Sequence, residues 1–334
     1  MKKIPLLLAL AGLTAAALAA SPGAARTKAS QAAKASKAAQ APKPARLLSA
    51  AEVLQASPAA DWRGLDPQNT LLMELASGQV LIELAPRFAP AHVANIRALA
   101  RGGYWDGLAI LRVQDNFVTQ WGDPDGEDAA KARPLPAGAA PRLPAEFSVP
   151  LDSIGQAAGF ARLPDVEGWA PRTGFAGGFA VAADPRTGKA WLAHCYGVVG
   201  AGRSDAPDSS NGAELYAVIG QAPRGLDLNI TAVGRVLKGM ELLSALPRGT
   251  AAMGFYDKPE QRTAIQRVRL LADVPDAERP TLQVLRTESA TWARLLDARR
   301  HRGGWFVHSP GYIDVCSASV PTRPAPDAAA QAPK

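Results

Sequence analysis

Residues 110–124 read ILRVQDNFVTQWGDP, and this stretch decides the fold because apolar and polar residues follow each other as in a sheet strand. We predict one strand over residues 108–120. Side chains alternate between the two faces of a strand, so one face would carry Arg112, Gln114, Asn116, Val118 and Gln120. Phe117 would lie on the opposite face unless a β-bulge turned it. The stretch therefore predicts a sheet surface that presents an arginine among amides.

The segments around this stretch have the spacing of a small β-barrel. Residues 70–75 and 79–84 form a hairpin pattern around Ala-Ser-Gly. The helix that follows has Pro90 in its first turn and ends at Gly102-Gly103. Further elements are a short helix and five strands, predicted at residues 240–246 and at 179–182, 189–195, 215–219, 231–236 and 265–272. Many short strands and two helices predict a mainly β fold with a closed antiparallel β-barrel.

Three motifs in the chain resemble the cyclophilin family. They are ILRVQDNFVTQWGDP, then NGAELYAVIG at residues 211–220, then LDLNITAVGRVLKGMELL at residues 226–243. The resemblance extends from about Thr70 to Ala272, and three long motifs in the family's order are more specific than one short fingerprint. It implies a cyclophilin-like barrel and the activity of a peptidyl-prolyl cis/trans isomerase.

The resemblance also implies site residues. The family's catalytic arginine falls on Arg112, and its hydrogen-bonding glutamine falls on Gln120. The residues implied to bind substrate are Phe117, Val118, Glu214, Tyr216, Leu226 and Gly202. Gly202 lies in GAGR, residues 200–203, which corresponds to the family's substrate loop. The reaction implied needs no metal, no nucleophile and no cofactor.

These residue types suit the chemistry. Rotation about an Xaa-Pro bond has a barrier of about 18–20 kcal/mol, because twisting breaks amide resonance. A catalyst must hold the proline ring in an apolar socket and offer a fixed donor to the prolyl nitrogen. Arg112 suits that role, since an arginine is always charged and carries rigidly placed donors. The alternatives stay open that Arg112 is a surface ion-pair residue and that Phe117 and Tyr216 are core aromatics.

The chain departs from the family pattern at several positions. Ile110-Leu111 stand where the family usually has Phe-His, and Ile230 replaces a pocket histidine. Gly225 replaces a frequent tryptophan contact for cyclosporin, so we expect poor cyclosporin binding. Glu214 is a carboxylate in place of an amide, and its pairing with Arg112 would compete with substrate. These departures keep a second hypothesis open, a proline-binding or chaperone-like module with little turnover.

The first 46 residues predict export. Lys2 and Lys3 precede an apolar run, and small residues follow it, which is the pattern of a secretory signal peptide over residues 1–20. The alternative is a membrane anchor, for which the run is too short and too rich in alanine. Residues 21–46 lack aromatic and large aliphatic side chains and predict a disordered linker. We therefore expect a soluble, monomeric protein of the periplasm.

The remaining chain divides around the barrel. The predicted parts are a lead-in (47–67), a barrel domain (68–275) with a loop-rich insertion (124–178), a C-terminal extension (276–320) and a disordered tail (321–334). We expect a short helix at residues 47–54 of the lead-in. The extension predicts a helix at 289–301 and a strand at 305–315 that docks on the barrel.

Two cysteines, Cys195 and Cys316, predict a disulfide, because an even pair in an exported chain is usually oxidised. Two separate buried thiols are the alternative. The four histidines are scattered and show no metal-ligand spacing, so we expect no metal site. His194 is interpreted as an ordinary strand residue.

The charge distribution argues against nucleic-acid binding. The formal net charge is +7, but residues 1–46 hold eight Lys/Arg and no acid, which leaves a net charge of −1 on the rest. A nucleic-acid domain needs a basic face on its folded part. The expected partners are therefore Xaa-Pro segments of exported or partly folded proteins. A third hypothesis is an envelope interaction protein whose insertion and tail make the contacts.

Overall fold

The computed structural model describes residues 47–155, 159–221 and 223–326, so the predicted signal peptide and linker lie outside it. Four α-helices occur in this part: α1 (Ala50–Gln55), α2 (Pro90–Arg101), α3 (Met240–Ser244) and α4 (Ala290–Arg300). Serine side chains cap α1 and α4, Ser49 accepting from the backbone of Glu52 and Ser289 from that of Trp292. The four predicted helices are confirmed. None of the described helices has the length and apolar character needed to cross a bilayer.

Sixteen β-strands are described. They are β1 (Trp62–Gly64), β2 (Thr70–Leu75), β3 (Gly78–Leu84), β4 (Ala109–Val113), β5 (Val118–Gly122), β6 (Val149–Pro150), β7 (Ala161–Arg162), β8 (Arg172–Ala176), β9 (Phe179–Asp184), β10 (Lys189–Leu192), β11 (Val198–Ala201), β12 (Leu215–Val218), β13 (Ala232–Lys238), β14 (Thr263–Leu270), β15 (Leu282–Leu285) and β16 (Thr322–Pro324). Eight of them close into an antiparallel barrel in the order β11-β12-β5-β4-β14-β2-β3-β13. The predicted mainly β fold with a closed barrel is confirmed, and α2 and α3 are its two helices.

The barrel interior is filled by side chains from alternate strand positions. Examples from the first hairpin, each at most 4% exposed, are Leu71, Met73, Leu75, Val80, Ile82 and Leu84. Helix α2 adds Val93, Ile96 and Leu99 to the same cluster, as its apolar stripe predicts. Burying one such side chain contributes about 1.5–3 kcal/mol. This core supports the strands that carry the site on their outer face.

The single strand predicted over residues 108–120 is wrong. The chain turns at Asp115 and Asn116, so that β4 and β5 form a hairpin. The backbone N–H of Gln114 donates to the carbonyl of Val118 at 2.9 Å and closes the turn. Asn116 has a φ of 51°, which asparagine adopts more readily than most residues. Alternating apolar and polar residues on both sides concealed this turn in the sequence.

A second sheet, in the order β6-β10-β9-β8-β7, packs against the outer face of the barrel. Val181 of β9 and Phe175 of β8 share an apolar cluster with Val118 and Val218 of the barrel. The insertion is therefore not merely loop-rich, because β6, β7 and β8 lie within it. The hairpin predicted at residues 179–195 is confirmed, but it belongs to this sheet and not to the barrel. Short strands that are buried on both faces have no alternation to reveal them.

The lead-in and the C-terminal extension fold together. A three-stranded sheet joins β1, β15 and β16, and α1 packs against α4. Trp292 of α4 meets Phe175 of β8 edge to face, with ring centroids 4.8 Å apart. Both segments therefore add side chains to the apolar cluster between the barrel and the second sheet, and neither is an appendage.

Two predictions for the C-terminal end are wrong. No strand forms over residues 305–315, because most of this segment is exposed and pairs with no other strand. Strand β16 instead lies within the predicted disordered tail, 321–334, where Thr322–Pro324 pairs with Leu282–Val284. Its proline is accommodated because β16 is an edge strand.

A disulfide joins Cys195 and Cys316, with an S–S distance of 2.06 Å. Cys195 lies three residues before the start of the barrel strand β11, and Cys316 lies between α4 and β16. The bond predicted from the sequence is present, and it ties the C-terminal extension to the barrel.

Candidate active site

The site residues expected from the sequence lie together in one cleft on the outer face of the barrel. The cleft has a volume of about 820 Å³ and lies over β4, β5 and β12. All eight residues implied by the resemblance line it, namely Arg112, Phe117, Val118, Gln120, Gly202, Glu214, Tyr216 and Leu226. The barrel topology thus brings three distant motifs into one surface.

A β-bulge at Leu111 turns Arg112 into this cleft. Ile110 and Arg112 pair with two consecutive residues of β5, Trp121 and Gln120, so Leu111 is an extra residue in β4. Regular alternation would give Arg112 the inward direction of Ile110, which is fully buried in the barrel. A bulge is therefore present, but it lies upstream of the arginine and not in the turn that follows.

The guanidinium of Arg112 is held by three hydrogen bonds. Its Nε donates to the carbonyl of Met253 at 2.6 Å, and its Nη1 donates to Oε1 of Gln120 at 2.9 Å. Its Nη2 donates to the side-chain oxygen of Gln114. Bonds on three different nitrogens fix both the position and the plane of the group.

Two aromatic rings lie beside the guanidinium of Arg112. The guanidinium carbon lies 5.4 Å from the ring centre of Phe117 and 5.3 Å from that of Phe255, within cation–π range. Burial lowers the pKa of Arg112, and the negative charge of Glu214 opposes this shift. The group remains a cation, because an arginine does not lose its proton in proteins.

Gln120 separates Arg112 from Glu214. Its Nε2 donates to Oε1 of Glu214, and its Oε1 accepts from Arg112. The direct pairing of Glu214 with Arg112 that the sequence suggested does not form. Burial, aided by the negative charge of Glu127, raises the pKa of Glu214, and Arg112 opposes this. Because an ionised carboxylate only accepts, Glu214 determines which end of the amide faces the arginine.

An apolar wall adjoins the arginine. Val118 is 1% exposed, and Phe117, Leu226 and Ile230 are half-buried against the same cluster. This cluster continues into the core between the barrel and the second sheet, so the wall is preformed. The cleft can therefore hold an apolar ring beside a fixed cationic donor.

Tyr216 is oriented by His194, a residue whose role the sequence analysis missed. Nε2 of His194 lies 3.0 Å from the Tyr216 hydroxyl, and Nδ1 lies 2.9 Å from Oδ1 of Asp227. The carboxylate accepts from Nδ1, so the tyrosine donates to Nε2. Burial, together with the charge of Asp227, raises the pKa of Tyr216, which keeps this donor protonated. His194 lies between β10 and β11, and the strand interpretation is wrong.

Asp227 belongs to a buried ionic network. Nε of Arg224 donates to Oδ2 of Asp227 at 2.7 Å, and Nη1 of Arg224 donates to Glu167. The side chains of Arg224, Glu167 and Asp227 are only 2%, 6% and 8% exposed. Arg224 begins the short 3-10 turn that carries Leu226. The network therefore fixes one wall of the cleft from behind.

The glycines of GAGR make room for cleft residues. A Cβ at Gly200 would overlap the ring and hydroxyl of Tyr216, so only glycine fits there. A Cβ at Gly202 would lie 3.2 Å from the carboxyl carbon of Glu214. Residues 200–203, which the resemblance implies to bind substrate, therefore also constrain where the side chains of Tyr216 and Glu214 lie.

Sequence analysis also missed Met253 and Phe255. Both lie in the irregular segment between α3 and β14, and Met253 is separated from Arg112 by 141 positions. No motif or periodicity in the sequence links the two. This segment reaches the cleft through the isolated bridge between Arg112 and Phe255 and through backbone hydrogen bonds to Leu111 and Val113.

Comparisons with known proteins agree on one family. The family model described as cyclophilin type peptidyl-prolyl cis-trans isomerase/CLD matches residues 70–270. The probable peptidyl-prolyl cis-trans isomerase of Brucella suis is 30% identical over 195 residues, which cover 56% of this chain and 76% of that protein. Peptidyl-prolyl cis-trans isomerase-like 1 of Bos taurus is 36% identical over 73 residues, which cover 22% of this chain and 42% of that protein.

A solved structure is similar over most of the chain. The crystal structure of cyclophilin AquaCyp293 from Hirschia baltica matches with a TM-score of 0.64 and 26% sequence identity. The match covers 78% of this chain and 92% of that chain. It therefore extends beyond the barrel segment that the family model matches.

Proposed function

This chain belongs to the cyclophilin-type peptidyl-prolyl cis-trans isomerases, and on that premise we propose that Arg112 catalyses Xaa-Pro isomerisation in exported proteins. The observation that carries the proposal is a guanidinium fixed by three hydrogen bonds beside an apolar wall. A donor that is already in place needs no reorganisation during the reaction. Its interaction is therefore strongest where the transition state develops charge.

The proposed mechanism follows from the amide bond itself. In the planar amide the nitrogen lone pair is delocalised, and twisting the bond localises it on the prolyl nitrogen. With the proline ring against Val118 and Tyr216, this nitrogen would face Arg112. A guanidinium has five N–H groups, and three of them are engaged within the protein, so two remain for substrate. No covalent bond is made or broken in this step.

Gln120 acts in this proposal by orienting the arginine. Its carbonyl oxygen accepts from Nη1 of Arg112, while Glu214 holds its NH₂ group. The second hydrogen of that NH₂ group remains available for a substrate carbonyl. The same residue can therefore position the catalyst and the peptide.

The exported location is part of the proposal. The support is the signal-peptide pattern over residues 1–20 and the disulfide between Cys195 and Cys316, a bond that persists in oxidising compartments. Cell fractionation with mass spectrometry should recover a chain that begins near Ser21 in the periplasmic fraction. Recovery of the intact chain in the cytoplasm would contradict this location.

The central test is Arg112→Ala. We expect kcat/KM for an Ala-Pro peptide to fall by about 100-fold, as when one preorganised donor is removed from an active site. Two-dimensional NMR exchange or a protease-coupled assay measures this rate. Arg112→Lys should recover little, because a single ammonium cannot reproduce three directed bonds.

The matched control is Arg267→Ala, which removes an exposed arginine of β14 that pairs with Glu74. Its isomerase rate should equal that of the unmodified chain. If the unmodified chain were no faster than Arg112→Ala, the catalytic role would be refuted. Retention of peptide binding without turnover would then favour the proline-binding module.

A second prediction concerns pH. The raised pKa of Glu214 means that its protonation begins above its ordinary value of 4.5. Protonated Glu214 is a weaker acceptor for the Gln120 amide, so the support for Arg112 loosens. We expect kcat/KM to fall as the pH decreases through this range, measured between neutrality and pH 4.5 in buffers of constant ionic strength.

Glu214→Gln separates this effect from general acid sensitivity. Its amide oxygen still accepts from Gln120 but does not titrate. The rate at neutral pH should be retained, and the acidic decline should disappear. A decline that persists unchanged in Glu214→Gln would assign the titration to another group. The free energy of unfolding depends on pH in the opposite direction. Because the fold raises the pKa of Glu214, this carboxyl stabilises the fold below pH 4.5, and its contribution is lost as the pH rises.

A further inference from the structure

Exposed apolar side chains are concentrated at one place outside the cleft. The described residues include eleven large hydrophobic side chains that are exposed, and six of these fall within residues 166–169 and 305–312. The six are Val166, Trp169, Trp305, Phe306, Val307 and Tyr312, and together they are called the aromatic surface. Trp305 is 87% exposed and Val307 is fully exposed, so these side chains protrude. Clusters of this kind mark interaction sites more often than isolated exposed residues do.

The two segments are held against each other. The hydroxyl of Tyr312 donates to the carbonyl of Val166. Asp165 accepts from the backbone N–H of Ile313 at 3.3 Å and forms an ion pair with Arg300 at 2.5 Å. Both partners of that ion pair are largely buried. The aromatic surface therefore has a fixed base, although its tips extend into solvent.

The charges around the aromatic surface are mainly positive. Arg162 and Arg172 flank the first segment, and Arg302 precedes the second. None of these three arginines forms an ion pair with a carboxylate in the described part of the chain. Glu167 in the first segment and Asp165 beside it are each already paired with another arginine. Residues 298–313 contain no acid, so the surface has uncompensated positive charge.

We propose that the aromatic surface docks this protein on an anionic lipid bilayer. Trp, Tyr and Phe side chains favour the boundary between headgroups and acyl chains, and nearby arginines favour anionic headgroups. Arg302 places a cation directly beside an aromatic side chain, since its guanidinium lies 5.0 Å from the ring centre of Phe306. Protruding side chains can insert between lipid headgroups, whereas they fit poorly against a flat protein surface. The attachment is peripheral, because insertion is confined to loop side chains.

Docking would leave the cleft open. None of the six side chains of the aromatic surface lines the cleft. Glu167, between Val166 and Trp169, pairs with Arg224, whose turn carries Leu226 of the cleft wall. The bilayer contact is therefore near the cleft but separate from it. Isomerisation of a short soluble peptide should not depend on docking.

The test is vesicle co-sedimentation of the chain as isolated from cells. Vesicles of phosphatidylcholine alone are compared with vesicles containing about one third phosphatidylglycerol. We expect binding to the anionic vesicles, and we expect Trp305→Ser with Val307→Ser to weaken it at least about tenfold. Arg162→Ser with Arg172→Ser should weaken binding to anionic vesicles and reduce its dependence on salt concentration.

The matched control is Leu47→Ser with Tyr196→Ser, which removes two exposed apolar side chains elsewhere. It should bind vesicles like the unmodified chain. All variants keep the same basic segment, residues 21–46, so binding through that segment is common to all of them. Equal unfolding midpoints and equal peptide isomerisation would establish that the variants are folded.

Two outcomes would overturn the proposal. One is vesicle binding that is the same in the Trp305/Val307 variant and in the control. The other is unchanged vesicle binding with lost binding of a denatured, proline-free polypeptide, which would assign the aromatic surface to client proteins. Arg112→Ala should bind vesicles and the denatured polypeptide like the unmodified chain, whatever its isomerase activity. This inference and the proposed function can therefore fail separately.

Discussion

Replacing Arg224 with methionine should lower the free energy of unfolding by about 3–5 kcal/mol, because it leaves two buried carboxylates without their cation. Arg224 is 2% exposed on its side chain, and it bonds both Glu167 and Asp227. Methionine fills a similar volume, so the loss reports charge and not a cavity. Urea unfolding at constant pH measures the effect. The cleft should also lose activity, because the turn that carries Leu226 is released.

The pH dependence of this loss has a definite sign. Burial pushes the pKa of Asp227 upward, but the hydrogen bond from His194 and the charge of Arg224 hold it below its ordinary 3.8. In the unmodified chain Asp227 therefore stabilises the fold above 3.8, and that contribution is lost as the pH falls through the lowered pKa. In Arg224→Met the stranded carboxylates take up protons more readily. The difference in stability should consequently shrink as the pH falls.

Two further variants make this prediction specific. Arg186→Met removes an exposed arginine paired with Asp184, and the unfolding midpoint should not change. Adding Glu167→Gln to Arg224→Met should recover part of the loss, since one uncompensated charge disappears. A stability loss no larger than that of Arg186→Met would show that the buried network contributes nothing.

Replacing both Cys195 and Cys316 with serine should lower the free energy of unfolding by about 4–5 kcal/mol. The disulfide closes a loop across 121 positions, and a long loop has much conformational freedom in the unfolded chain once the bond is absent. Urea unfolding of the unmodified chain, with and without a reductant, should show the same difference. The serine variant should not respond to the reductant.

The disulfide prediction also concerns where the structure loosens. Cys316 anchors the segment between α4 and β16, so hydrogen exchange should increase first in the C-terminal extension. The barrel hairpin of β2 and β3 should stay protected, because its core is independent of the bond. Equal stability of the oxidised, reduced and serine forms would contradict the prediction.

The barrel was predictable because its signals are local. Residues 70–75 and 79–84 are two apolar runs around Ala-Ser-Gly and fold as the expected hairpin, and Pro90 begins α2 as expected. The turn at Asn116 was missed, although Asp-Asn is a turn signal, because the flanking residues continue the same alternation. Strands β6, β7 and β8 were missed for the converse reason. Two of them have only two residues, and β8 is buried at four of its five positions, so they carry no period of two.

The cleft was only partly predictable. Arg112, Gln120 and Tyr216 stand in recognisable motifs, and the fold brings them together. His194 and Met253 could not be found in this way, because each meets its partner through tertiary packing alone. The role of Glu214 was misjudged for a geometric reason. Its distance from Arg112 depends on Gln120 lying between them, which composition does not reveal.

The extra residue at Leu111 separates the direction of Arg112 from the local shape of β4. Without Leu111, Ile110 and Arg112 would be adjacent and could keep the partners that they already have in β5, Trp121 and Gln120. Ile110 would still point into the barrel, and Arg112 would still point into the cleft. What residue 111 adds is the bend and the extra twist that a bulge gives its strand, so descendants of this chain can adjust the aim of the arginine at this position without turning it inward.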